Sequence, residues 1–125
     1  ALAQGLGGKV KESLERTIRL EPKHAGAHIA LGAFHAEVID KVGALIGSMT
    51  YGVRKDVGLK LLQEALNLTP GAAIAMVEYA NALLMLDGQQ RLAEATRLYE
   101  QAATAAPLDA MEHLDADLAR SELDG

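Results

Sequence analysis

Residues 94–107 read EATRLYEQAATAAP, and their spacing decides the fold class. Leu92, Ala95, Tyr99 and Ala102 recur at three- and four-residue steps, which places them on one face of a helix. Pro107 closes the run. A proline lacks the amide N–H and its ring clashes with the preceding turn, so it ends a helix instead of continuing it. Two further segments have the same form. KVKESLERTIRLEP ends at Pro22, and VGLKLLQEALNLTP ends at Pro70 with Val57, Leu61, Leu62, Ala65 and Leu68 on one face.

Helical patterning also follows two of the prolines. HAGAHIALGAFHAEVIDKVGALIG follows Pro22, and AAIAMVEYANALLMLDG follows Pro70. The order is helix, turn, helix, proline. Self-similarity of this kind marks stacked helix pairs, each of which buries its apolar face against the next. The composition agrees with this. Of the 125 residues, 50% are hydrophobic but only 3% aromatic, with no tryptophan, so the core is aliphatic and rich in helix-forming leucine and alanine.

The pattern resembles the tetratricopeptide repeat, a helix–turn–helix of 34 residues. Ala95, Tyr99, Ala102 and Pro107 stand at the spacings of that family's second helix. Leu31 and Gly32, then Gly58, Leu62, Ala65 and Pro70, do the same for a middle repeat. Val10, Leu14, Thr17 and Pro22 match half a repeat, with threonine where the family has alanine. The aromatic that opens the family's first helix is replaced by His28 and Met76. The resemblance implies an all-α, right-handed superhelix of antiparallel helix pairs, about six helices in all. Its expected units are a half repeat at 9–22, a repeat at 23–70, a repeat at 71–107 and a capping helix at 108–123. In the capping helix Leu108, Met111, Leu114 and Leu118 share a face, and Asp109, Glu112, Asp117 and Glu122 lie mostly outside it.

The middle repeat is too long. Pro22 and Pro70 are 48 positions apart, about 14 more than the family period. The surplus falls between Gly32 and Gly58. Ile39, Val42, Leu45, Ile46 and Met49 keep helical spacing, so the first helix of this repeat is expected to run on to Ile46. GSMTYGVRKD, residues 47–56, is the expected return loop, with Gly47 as the left-handed residue at the helix end and Asp56 as the next N-cap. The stretch also resembles the regulator of microtubule dynamics subgroup of these repeat proteins, through His28, Gly32, Phe34, Glu37 and Val38 followed by a long insert. That likeness implies a bacterial relative of the fold, not a role with microtubules.

The charge pattern and motifs narrow the function. A formal net charge of -5 argues against nucleic acid, which requires a basic surface. There is no cysteine, so thiolate chemistry is excluded and the composition does not separate a cytoplasmic from a periplasmic setting. No apolar run approaches the roughly 20 residues of a membrane span. The start, ALAQGLGG, lacks methionine and reads as a fragment or processed form; its GLGGK reads as a turn between helices, since no strand precedes it. Ser13, Ser48 and Ser121 lie far from histidines in sequence, so no catalytic triad is expected and the chain reads as a non-enzyme without a cofactor.

Two features are candidates for function. His24, His28 and His35 share one helical face, which suggests a metal or small-molecule site; against it, His28 and His35 are about 10.5 Å apart along the axis, and the same face carries Leu31, Val38 and Val42. The second feature is the helix after Pro70. Met76, Tyr79, Ala80 and Leu83 form a face for internal packing. Ile74, Val77, Glu78, Asn81, Leu84 and Met85 form the other, which in the family lines a concave groove that binds peptides. The resemblance therefore implies a non-catalytic module that binds a protein or peptide, with Asn81 as a hydrogen-bonding anchor. The insert helix covering that face, a homodimer formed through the insert or the groove, and a spacer within a longer solenoid are the competing readings.

Overall fold

The computed structural model describes residues 2–105, and side chains from residue 7 onward. Every regular element among the described residues is helical. They are α1 (Leu2–Leu20), α2 (Ala25–Val42), the single turn α3 (Ala44–Ile46), a π-helical turn (Gly47–Tyr51), α4 (Lys55–Leu68), α5 (Ala73–Asp87), a 3₁₀ turn (Gly88–Arg91) and α6 (Leu92–Thr104). The capping helix expected at 108–123 lies outside the described residues.

Two of the three prolines act as the sequence implied, and Pro107 lies outside the described residues. Pro22 sits in the turn after α1, and α4 ends at Leu68, just before Pro70. Two hairpins, α2 with α4 and α5 with α6, make the most extensive contacts, and α5 also packs on α2 and α4. The core runs through these contacts as Leu62, Ala73, Val77, Tyr79, Ala80, Leu83, Ala95, Tyr99 and Ala102. Leu62 and Leu83 are fully buried, and each contributes about 1.5–3 kcal/mol relative to an exposed side chain.

The α2–α4 crossing depends on two glycines. A Cβ built on Gly32 would lie 2.6 Å from Leu62 Cγ and 2.9 Å from the Gly58 carbonyl oxygen. One built on Gly58 would lie 2.9 Å from the Cβ of His35. The backbones are thus closer than any side chain there permits, and the small residues of the sequence motif meet each other across the hairpin. Outside this contact, Gln63 Nε2 donates to the Tyr79 hydroxyl at 2.8 Å and links α4 to α5.

The insert departs from expectation. α2 does not continue to Ile46; it ends at Val42, and Gly43 takes φ 87, outside the helical region. The apolar spacing that suggested one long helix continues across the break because α3 resumes helical geometry immediately. The chain then folds back through the π turn and packs on α1 and α2. Gly47 is not the left-handed residue, since its φ is -57; that role falls to Gly52, at φ 67. Gly47 is small for a different reason: a Cβ there would meet Val53 Cγ2 at 2.9 Å, and Val53 is fully buried. The N-cap of α4 is Arg54, not Asp56, which lies in the first turn and accepts from Arg54 Nη2 at 3.2 Å.

The amino-terminal reading also changes. Gly5, Gly7 and Gly8 lie inside α1, so GLGGK is helix and not a turn. Interior glycine costs a helix about 1 kcal/mol each, which a helix of 19 residues tolerates. At Gly7 a Cβ would sit 3.6 Å from both Phe34 and Tyr51, an ordinary van der Waals distance.

Candidate binding groove

α5 is apolar on nearly every side, so it needs cover on nearly every side. α2, α4 and α6 supply that cover, and the insert does not, since it packs on α1 and α2. Among the described residues of α5, the exposed Ile74 and Met85 and the part-buried Glu78 and Asn81 form a strip at helical steps of four, three and four. Ile74 is 39% exposed and Met85 38%.

The strip forms one wall of a trough, and α2 forms the other. At one end, Ala25, Gly26, Ile29, Ala30 and Ala33 face Ala72, Ile74 and Glu78 around an open cavity of about 460 Å³. Further along it narrows between Ala33, Ala36 and Glu37 on α2 and Glu78, Asn81, Ala82 and Met85 on α5. The start of α2 thus faces the start of α5, and the two helices run in the same direction. Small side chains line α2 here, which is why a trough exists at all: Ala30, Ala33 and Ala36 leave room that larger residues would fill.

Two of the six residues expected to line this surface lie elsewhere. Val77 is 3% exposed and belongs to the core. Leu84 is half-buried and packs against the core. Sequence reasoning put both on the open face because the helical wheel is almost uniformly apolar and carries no mark of where α2 and α4 lie. The α2 wall, Ile29, Ala30, Ala33 and Glu37, was missed. Its signal was the set of alanines at residues 25, 30, 33 and 36, small side chains on the part of α2 that lines the trough.

Asn81 occupies the narrow part. Its Oδ1 accepts a hydrogen bond from the Tyr99 hydroxyl on α6. The acceptor end of the amide is thereby tied to the core side, and its orientation is fixed. At the far end of α5, Asp87 accepts from Lys55 and, at 3.2 Å, from Arg91 Nη1. The Lys55 ammonium, and then Arg91, hold the Asp87 carboxyl below its ordinary range against the opposing effect of burial. Arg91 also pairs with Glu94 at 2.9 Å, so these charges join α4, α5 and α6.

The histidines do not converge. His24 precedes α2 as its N-cap, and its Nδ1 accepts from the Ala27 N–H at 2.9 Å. The His28 ring donates through Nδ1 to the His24 carbonyl at 2.8 Å. His35 is buried against α4, where its Nδ1 accepts from the Arg54 N–H at 2.9 Å. Each ring has a backbone task of its own, and among the described residues no three histidine, aspartate or glutamate side chains are grouped to hold a metal ion. No helix among the described residues is long and apolar enough to cross a membrane.

The insert presents a second apolar feature. Leu45 is 73% exposed, Ile46 53% and Met49 78%. Comparison with protein-family models, with curated proteins and with solved structures finds no match to this chain.

Proposed function

We propose that this chain is a tetratricopeptide-like module that binds a polypeptide segment, without catalysis, in the trough between α2 and α5. The observation that carries this reading is the trough itself: an open cavity of about 460 Å³ whose walls are the first helices of two successive hairpins. The repeat assignment is supported by the contact of Gly32 with Gly58 at the motif's small positions, and by the burial of Ala80 and Ala95 in the second hairpin. Ile29 and Ile74 provide apolar contact for a ligand side chain. Asn81, its oxygen turned to Tyr99, offers its amide nitrogen to a ligand carbonyl.

The test is selection of peptides from a random library on the purified protein, followed by calorimetric titration of a selected peptide. Ile74→Glu should weaken binding about 30-fold, the effect of removing an anchor of roughly 2 kcal/mol, with an unchanged thermal melt. Peptides that bind Ile74→Glu and Asn81→Ala as tightly as the parent would place recognition elsewhere. The exposed Leu45, Ile46 and Met49 favour a second contact, pairing of two copies through the insert. Sedimentation equilibrium of the parent beside Leu45→Glu with Met49→Glu tests it, and a monomeric parent at all concentrations would exclude it.

A further inference from the structure

One ionisable side chain fastens the insert to the α2–α4 hairpin. His35 is 2% exposed and lies on α2 where α4 begins. Its Nδ1 accepts the backbone N–H of Arg54, the N-cap of α4, at 2.9 Å. Arg54 follows Val53, which is fully buried and whose own N–H closes the π turn onto the Gly47 carbonyl at 3.2 Å. A ring nitrogen that accepts carries no proton, so the neutral ring has its proton on Nε2. Nε2 is buried and has no hydrogen-bond partner among the described residues. The ring cannot back away toward α4, because the backbone at Gly58 already approaches within the space of one Cβ.

We propose that His35 is a proton-operated latch: protonation converts its acceptor nitrogen into a donor facing the Arg54 N–H, and this releases residues 43–53 while the α5–α6 hairpin stays folded. Two donors cannot share one hydrogen bond, and the imidazolium would be a buried cation with Nε2–H still unpaired. The surrounding charges do not rescue it. From α1, Lys11 opposes the proton and Glu15 favours it, but the two are paired with each other at 3.0 Å. From α4, Asp56 favours it but is paired with the Arg54 guanidinium. The insert itself offers only Tyr51 as an ionisable group.

Burial above all, then Lys11, pushes the His35 pKa below its ordinary 6.5. A hydrogen bond accepted by Nδ1 exists only for the neutral ring, so it works in the same direction. The sign follows. Above pH 6.5 the latched and open forms are both neutral and the latch holds at full strength. Below that value the open form takes up the proton first, so latching weakens until the latched form's own pKa is reached and is constant beneath it. With one proton coupled, the opening equilibrium shifts about ten-fold per pH unit within that window.

Hydrogen exchange of the whole chain by mass spectrometry, corrected for the intrinsic rate at each pH, reads this directly. Between pH 7.5 and 5, protection of residues 47–54 should fall by about ten-fold per unit below the ordinary histidine value, while α5 and α6 keep theirs. His35→Asn places a non-titrating acceptor near the Nδ1 position and should flatten the profile. His24→Asn retains an N-cap and should leave it unchanged. Protection of 47–54 that is independent of pH in the parent overturns the latch. So does an equal loss in His35→Asn, or a simultaneous loss in α5 and α6. If His35→Asn does not fold, nitrogen-15 NMR of the parent decides. An Nε2–H tautomer at pH 8 that titrates together with the Arg54 amide supports the latch, and a ring that titrates with no response there refutes it.

Discussion

Two glycine-to-alanine changes, both inside helices, separate what the helix wants from what the crossing permits. Gly8 lies in α1 with nothing within 4 Å of an added Cβ. Gly32 lies in α2, where the same atom would sit 2.6 Å from Leu62 Cγ and 2.9 Å from the Gly58 carbonyl oxygen. Alanine in place of an interior glycine favours a helix by about 0.5–1 kcal/mol. Gly8→Ala should therefore stabilise the protein by about that amount. Gly32→Ala gains the same term but must open the crossing. Leu62 is fully buried and cannot swing away, and the carbonyl belongs to the α4 backbone, so the helices must separate by several tenths of an ångström. Overpacking of this kind costs about 1–3 kcal/mol. Because the propensity term cancels between the variants, their difference isolates the overpacking, and Gly32→Ala should fall about 1–3 kcal/mol below Gly8→Ala. Urea unfolding followed by far-ultraviolet circular dichroism measures it, with the slope required to stay constant. Coincident midpoints, or a Gly32→Ala protein more stable than the parent, would refute the close approach of α2 and α4.

Three further outcomes are expected. Gly52→Ala forces a side chain into φ 67 and should cost about 1–2 kcal/mol in the same denaturation assay, though its Cβ would meet only the end of Lys11. Val77→Glu should abolish the cooperative thermal melt, since it buries an unpaired carboxylate, whereas Ile74→Glu at the open strip should leave the melt in place. The Asp87 carboxyl is held below its unfolded value near 3.8, so its contribution is complete above that pH and is lost as the pH falls through the lower folded value. Acid titration of stability should therefore be shallower in Asp87→Asn than in the parent, and Lys55→Met should lose about 1 kcal/mol at neutral pH.

The helical class of the chain and the helix ends next to Pro22 and Pro70 were legible in the sequence because both signals are local. A proline forbids the next helical turn whatever surrounds it, and an apolar residue every three or four positions defines a face before any partner is known. Pro22 and Pro70, and the faces centred on Leu62, Ala65, Ala95 and Tyr99, lie where that reasoning put them. The tertiary structure decided what depends on neighbours. Gly43 breaks the helix although Ile39, Val42, Leu45 and Ile46 keep its period, because periodicity records side-chain type and not the backbone angle of the glycine between them. Val77 turned inward and Ile74 outward although both are branched aliphatics on the same helix; only the arrival of α2 and α4 distinguishes them. The trough was equally hidden, since its second wall is formed largely of alanines whose small size signifies space only once α5 stands opposite. His35 carried no mark of its role either: its partner is a backbone N–H 19 residues away, which the sequence cannot display because every residue but proline has one.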